Sequence, residues 1–350
     1  MPRQTEQRQI PFPIGGLNVV APRGRQPEQT SPSLKNVRAF DSLEGRIRGG
    51  SRPGLSKYCP DTMGSSNRVQ DINYVTTVID AAPNTTVLGV RQIISAAVCN
   101  GAVYKFTSSA STVATTGGSQ SLSSSAPFIF SAEMFGKLYY VDGVSYKIWD
   151  GATNTTSDWT PTAGSLPGTD GTKVPRLIES WRGRIVLSGF KDDPHNWFMS
   201  KLGDPLDWDY GPDTTTETQA VAGNQGTVGK IGDVIQCMIP YSSDEMIIGC
   251  DHSIWVLAGD PQAGGRIDLI SDAIGMAFGR PWCKDGAGNV YFFSSRGEVY
   301  SMSGPDAQPV NISEQTVSPL LKTIDLSSTL VRLVYNEDLL GFNLFLSPIA

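Results

Sequence analysis

Three apolar runs decide how this chain is read: Val234-Ile235-Gln236-Cys237-Met238-Ile239, Glu245-Met246-Ile247-Ile248 and Ser253-Ile254-Trp255-Val256-Leu257. Ser243-Asp244 and Asp251-His252 separate them. Runs this short, rich in β-branched residues and bounded by turn formers, predict antiparallel strands of one small sheet. The pattern returns at Arg280-Pro281-Trp282-Cys283, Asn289-Val290-Tyr291-Phe292-Phe293 and Glu298-Val299-Tyr300-Ser301-Met302, with turns at Asp285 to Gly288 and at Arg296-Gly297. Upstream, turn signals stand at Asn100-Gly101, at Gly136-Lys137 with Asp142-Gly143, and within Trp181-Arg182-Gly183-Arg184.

From Gly136 to Gly183, Asp244 and Gly288 the first turns are spaced 47, 61 and 44 residues apart. Weakly similar small sheets at such a period predict an all-β chain, a β-propeller of small antiparallel blades behind an extended N-terminal arm. A blade cannot bury both faces alone, and a ring supplies neighbours without long open edges. A β-sandwich with unrelated hairpins is the competing architecture. The expected modules centre near Asn100, Gly136, Gly183, Asp244 and Gly288. Residues 1–58 read as a basic arm with a hairpin for docking and assembly, and residues 59–350 as the propeller body. The last module, Leu330 to Tyr335 and Leu339 to Leu346 around Asn336-Glu337-Asp338, holds two strands. The N-terminal segment is expected to complete it, or the natural chain to continue past Ala350.

With 350 residues, 39% of them hydrophobic, the chain can bury a sizeable core, and its 37 glycines and 23 prolines suit many turns. No run approaches the roughly 18 apolar residues of a membrane helix, and Met1 to Gln9 carries no secretory pattern. Cys59, Cys99, Cys237, Cys250 and Cys283 are odd in number and mostly lie within apolar runs, so they are expected to be reduced, buried thiols of a chain folded in a reducing cytosol. The glycosylation-like triplets at Asn84, Asn154 and Asn311 then read as polar loops.

The net charge of −6 is unevenly spread. Residues 1–58 hold ten Lys/Arg against four acids, leaving 18 against 30 for the rest. A basic arm on an acidic body calls either for a partner or for docking on that body. Residues 1–35 read as extended with local turns, Ser31-Pro32-Ser33-Leu34 as one helical turn, and Asn36 to Ile47 as a hairpin around Asp41 to Gly45. Thr107 to Ser125 and Asn154 to Lys173 read as loops, the former a flexible connection. Ser318-Pro319 opens a second short helix, with the serine as cap.

Chemistry is sparse in the sequence. His195 and His252 are the only histidines, both in turn sequence, and no metal cluster or nucleophile–base pair is legible from spacing. Gly229-Lys230 fails as a phosphate loop, with Asn224 and Ile231 at the wrong places. Asp204, Asp207, Asp209 and Asp213 lack the glycine and glutamate of a calcium loop and read as turn residues. Lys284-Asp285-Gly286-Ala287-Gly288 is one loose fragment of a sialidase-type turn. The expectation is no catalytic activity, no cofactor and no metal site. The strand aromatics Trp255, Trp282, Tyr291, Phe292, Phe293 and Tyr300 are expected to fill inter-blade space.

Several phrases, in order, resemble the tail nozzle proteins of short-tailed bacteriophages, also called tail tubular protein B. They are Pro13-Ile14-Gly15-Gly16-Leu17-Asn18, Lys35-Asn36-Val37-Arg38, Gly45-Arg46 and Arg52-Pro53-Gly54-Leu55, then Asn196-Trp197-Phe198-Met199-Ser200 with Gly203-Asp204-Pro205-Leu206-Asp207-Trp208. Ile247-Ile248-Gly249 leading to Ser253 through Pro261 is similar to the same family. The resemblance implies a structural subunit of the virion tail: a ring, six copies, extending the DNA-ejection channel below an adaptor (connector) ring. Tail fibres or a distal tip are further partners, and double-stranded DNA would pass through. Arg23, Arg25, Arg46, Arg48 and Arg52 are the expected partner-binding residues, favouring acidic protein over passing DNA because a conduit must release what it conducts. A glycan-binding or glycan-cleaving propeller is the alternative, and a minor tail or capsid-decorating protein of another phage type is a third.

Overall fold

The computed structural model describes residues 12–41, 46–51, 56–64, 67–79, 90–116, 121–168, 174–211, 218–223, 229–338 and 340–349. Five sheets, each with four antiparallel strands in chain order, follow one another along the chain; in the third, Asp207–Trp208 intervenes before the last strand and pairs in parallel with Ala163–Gly164. The first holds Val69–Ile79, Val90–Cys99, Ala102–Phe106 and Ser111–Val113; the second Phe130–Met134, Lys137–Val141, Tyr146–Asp150 and Thr155–Asp158. The third holds Leu177–Trp181, Arg184–Ser188, Trp197–Met199 and Val221–Ala222. The fourth holds Ile235–Pro240, Glu245–Cys250, Ile254–Ala258 and Arg266–Ser271; the fifth Trp282–Lys284, Val290–Phe293, Val299–Met302 and Val310–Asn311. A two-stranded hairpin, Thr329–Asn336 with Gly341–Pro348, follows.

These sheets stand side by side as blades. First strands of neighbouring blades touch from the first to the fourth, and the hairpin lies against the fifth. Lys284 Nζ donates to Pro240 O (2.7 Å) between blades four and five. The circle closes when Arg332 of the hairpin reaches Asp71 Oδ1 (3.3 Å) and Gln70 O (3.0 Å) of the first blade. The protein is therefore a β-propeller, with a four-stranded blade at each of the five expected modules and a sixth module of two strands.

The core is divided among the blade junctions. Val75, Ile94, Leu138 and Trp149 fill the gap between blades one and two, and Met134, Trp181, Ile185, Met238 and Ile248 belong to the cluster spanning two to four. Cys237, Ile247, Met276 and Phe292 join four to five, and Phe293, Val331 and Leu333 join five to the hairpin. At the last junction, between hairpin and first blade, the facing residues stay open: Ile72, Val334 and Phe345 are 58%, 51% and 50% exposed. They border an apolar groove of about 470 Å³.

Turn chemistry explains the repeat. In each of the first three blades one hairpin is a two-residue turn with both residues at positive φ: Asn100-Gly101 (52° and 75°) between the second and third strands of blade one, and Phe135-Gly136 (52° and 72°) and Arg182-Gly183 (49° and 68°) between the first and second strands of blades two and three. That backbone matches the strand twist and favours Asn-Gly. The second of these turns is one residue earlier than Gly136-Lys137, because Met134 pairs with Lys137. Phe135 is exposed as well as left-handed, so it incurs the steric penalty without packing in return. Phe135→Asn is expected to raise stability by roughly 1 kcal/mol, seen as a higher urea midpoint; an unchanged or lower midpoint would mean that the ring of Phe135 contributes contacts of its own.

The stretches expected to be loops contribute strands. Ser111–Val113 is the fourth strand of blade one, and Thr115–Thr116 pairs in parallel with Thr155–Asp158 at the edge of blade two. Leu122, Ala126, Trp159 and Leu166 are buried. Serine and threonine pair well enough at an outer edge whose far side is solvent, and composition alone does not distinguish that edge from a linker. Ser31 to Leu34 is not helical: Thr30–Ser31 pairs in parallel with Gly16–Leu17, and Ser31 Oγ donates to Ser33 O (2.9 Å). The helix Ser318–Leu321 begins one residue earlier than expected, with Val317 as cap and the Ser318 hydroxyl on Glu298 instead.

The hairpin near Asp41 is present as Val37–Asp41 paired with Arg46–Ser51, its connecting residues lying outside the described ones. The described part of the arm docks on the body. Asn18 Nδ2 donates to Gln315 O (3.0 Å) and Val19 N to Thr316 O (2.8 Å), beyond blade five. Among the described residues no N-terminal strand is added to Gly341–Pro348, so the expected completion of the last module from that segment is not observed there. All five cysteines are buried and unpaired; burial pushes the Cys283 thiol up to about 12 and those of Cys237 and Cys250 higher still.

Candidate functional site

The first strand of each blade runs nearest the axis, and charged or polar residues interrupt these otherwise apolar strands. Asn73, Ser131, Glu133, Glu179, Arg280, Trp282 and Arg332, from five of the six modules, surround a cavity of about 550 Å³ on the axis. Arg280 Nε donates to Glu179 Oε1 (2.8 Å) and its terminal nitrogen to Ser131 O (2.5 Å). Ser131 Oγ donates to Asp71 Oδ2 (2.5 Å), Asn73 Nδ2 donates to Ser131 Oγ (3.0 Å), and Arg332 completes the chain on the other oxygen of Asp71. Both guanidiniums lie over the Phe130 ring, at 6.0 and 5.6 Å from its centroid.

The electrostatics follow from burial. Burial raises the pKa of Glu179 above the ordinary carboxylate range, with Arg280 offsetting part of the rise. For Arg280, burial pulls the other way, but Glu179 and Asp71 outweigh it and keep the guanidinium above its usual value. Glu179 commits one oxygen to Arg280. Trp282, in the cavity wall, has a buried indole N–H with no hydrogen-bond partner.

The residues singled out from sequence lie elsewhere. Arg23 and Arg25 are exposed on a short 3₁₀ turn, Arg46 and Arg48 sit on the strand Arg46–Ser51, and Arg52 lies outside the described residues. His195 is exposed. His252 is largely exposed too, with Nδ1 3.2 Å from Asp251, while Asp233 accepts the His252 backbone N–H (2.8 Å) and the Ser253 hydroxyl (2.8 Å). Ser253 therefore gives its proton to a carboxylate, with no base on it, and the cluster holds a turn. Asp204, Asp207 and Asp209 accept the backbone N–H two residues on, as turn residues do, and Asp213 lies outside the described residues. Asp285 caps its loop through Ala287 N, Asn289 N and the Tyr291 hydroxyl. No group of three or more His, Cys, Asp or Glu placed to hold a metal occurs among the described residues.

In the body, the phrases behind the tail-protein resemblance supply buried residues and their hydrogen-bond partners. Trp197 and Trp208 are buried, and the indoles of Trp159 and Trp208 both donate to Pro205 O (3.1 and 2.9 Å). Asp260 accepts from buried Arg184 at 3.4 Å. The axial charges were not legible because each belongs to a different module, far from its partner in sequence. One signal was available: Glu179 and Arg332 each break an apolar run in the first strand of a module.

The site thus belongs to a β-propeller domain with a polar axial cavity and a two-stranded last module. No protein-family model matches the chain, and no curated protein does. Among solved structures, the chain is similar to the extracellular domain of the putative one component system BT4673 from B. thetaiotaomicron, with 10% identity and a TM-score of 0.42 over 78% of this chain and 35% of that one. It is similar to YCF48, solved bound to D1 peptide, with 10% identity and a TM-score of 0.41 over 70% of each chain. A component of the COPII outer coat vertex follows at 11% identity and a TM-score of 0.38, over 62% of this chain and 57% of that one. The chain spans about a third of the length of the first of these. The architecture rests on the chain's own sheets.

Proposed function

We propose that the protein is a structural assembly subunit without catalytic activity, set in the tail of a short-tailed phage particle as part of a ring-shaped nozzle below the adaptor. The observation that carries the assembly reading is the junction between the two-stranded module and blade one. Buried clusters fill every other junction, while here Ile72, Val334 and Phe345 remain exposed around an apolar groove. Exposed apolar surface of this kind is characteristic of a chain that works in contact with others. The phage setting rests on the ordered phrases from Pro13 to Pro261. The phrases in the body contribute buried residues such as Trp197, Trp208 and Ile248 to the junctions, which supports reading those phrases as framework.

In this reading the arm is only partly used by the body. Asn18 and Val19 are committed to Gln315 and Thr316, whereas Arg23 and Arg25 are exposed for an acidic face of the adaptor or of a neighbouring copy. Arg46, Arg48 and Arg52 are assigned the same role. Purified particles imaged by electron microscopy should show six copies in a ring below the adaptor, and Arg23→Ser/Arg25→Ser should reduce incorporation without unfolding the propeller. Particles that lack the chain, or hold it at another copy number and place, would overturn the nozzle reading.

The axial cavity favours a second reading, glycan binding, since it combines paired charges with aromatic walls at the centre of the ring. Binding on an array of oligosaccharides would support it, and hydrolysis abolished by a carboxylate substitution would replace the non-catalytic reading with an enzymatic one.

A further inference from the structure

We propose that the axial cavity binds a neutral saccharide, with Tyr74, Glu133, Glu179, Arg280 and Trp282 as its contacts; the inference rests on the glycan-binding reading above. Charge sets the ligand class. The lining residues include two carboxylates, Glu133 and Glu179, and two guanidiniums, Arg280 and Arg332, and the arginines are already engaged by Glu179 and Asp71. Such a lining has no surplus positive charge for phosphate or sulfate and no surplus negative charge for a polyamine. It does have donors and acceptors side by side. Glu179 keeps one oxygen beyond its bond to Arg280, Arg280 keeps donors beyond those on Glu179 and Ser131, and a guanidinium has five N–H groups in all. A hydroxyl both donates and accepts, so neighbouring ring hydroxyls match a carboxylate oxygen beside a guanidinium.

The walls match the rest of a sugar. Ile72, Tyr74, Trp282 and Val334 line the same cavity and offer apolar surface to the C–H face of a pyranose. Tyr74 is 56% exposed, so an aromatic side chain stands at the cavity without belonging to the core. The ring of Trp282 adds aromatic surface to that wall. At about 550 Å³ the cavity falls within the range of about 300–1,000 Å³ typical of small-ligand pockets.

The test is calorimetry on the full chain with maltotriose, cellotriose and tri-N-acetylchitotriose, and with a sialylated and a sulfated tetrasaccharide as charged probes, repeated with Tyr74→Ala, Glu133→Gln and Trp282→Phe, while circular dichroism checks that each variant folds. At least one trisaccharide should bind the wild type, and Tyr74→Ala should weaken it tenfold or more. Binding that none of the three substitutions alters would place the sugar elsewhere, overturning the site while leaving the glycan reading intact. Binding only of sialylated or sulfated oligosaccharides would overturn the neutral class. If the wild type bound no oligosaccharide at all, the glycan reading would fail and the site with it.

Discussion

Arg280→Met is expected to lower stability by about 3–5 kcal/mol, the cost of leaving one partner of a buried ion pair unmatched. The side chain holds three modules together: it comes from the edge of blade five, pairs with Glu179 of blade three, donates to Ser131 O of blade two and covers Phe130. Glu179 is 14% exposed, so water in the axial cavity reaches it on one side only and replaces the guanidinium in part. The penalty should depend on pH in a definite direction. Burial already raises the pKa of Glu179, and removing Arg280 raises it further. A carboxyl whose folded pKa lies above its unfolded value loses stability as pH rises through that interval. The variant should therefore be weakest relative to wild type at neutral and alkaline pH, and the gap should narrow under mild acid, where Glu179 is protonated. Urea titrations of both proteins at pH 5 and pH 8 measure this. A loss under about 1 kcal/mol at pH 8 would show that the pair adds little to the ring. The double substitution Arg280→Met/Glu179→Met should recover much of the loss, since replacing both charges removes the stranded one.

Gly275→Ala should be comparably damaging for a steric reason. Gly275 lies where the chain leaves blade four for blade five, and a Cβ there would stand 1.7 Å from Asp251 O and 2.7 Å from His252 N. Both obstacles are backbone, in a turn fixed by Asp233 and by the Ser295 hydroxyl on Asp251 O. Neither a rotamer change nor a side-chain shift can relieve the clash, so strands must move apart. Roughly 3 kcal/mol or more should be lost, read as a fall in melting temperature. Gly286→Ala is the matched control: nothing lies within 4 Å of its Cβ and its φ is not in the left-handed region, so it should change stability by less than about 0.5 kcal/mol. Equal effects for the two would mean that the junction is softer than its close contacts imply.

Both predictions concern features that differ in how far they are legible from sequence. The sequence by itself determined the strands and the turns between them, because alternation, apolar runs and Asn-Gly or Asp-Gly signals act over a few residues. Asn100-Gly101, Arg182-Gly183 and Asp285 to Gly288 are turns wherever the blades end up, and the buried fate of Cys237 and Cys250 follows from the strands they interrupt. The Ser- and Thr-rich edge strands were harder to see, since composition there suits a linker as well as a sheet edge. Only the tertiary structure decided which charges meet. Asp71 and Arg332 lie 261 positions apart, and Glu179 and Arg280 lie 101 apart. No local pattern relates them, and they converge because Asp71, Glu179 and Arg332 occupy, and Arg280 just precedes, the innermost strand of their modules, and the ring brings those strands to one axis. The same closure decided that the last junction would stay open. Whether a two-stranded module fills the space beside blade one depends on the volume left by the other blades, which is a property of the assembled ring and not of any segment of the chain.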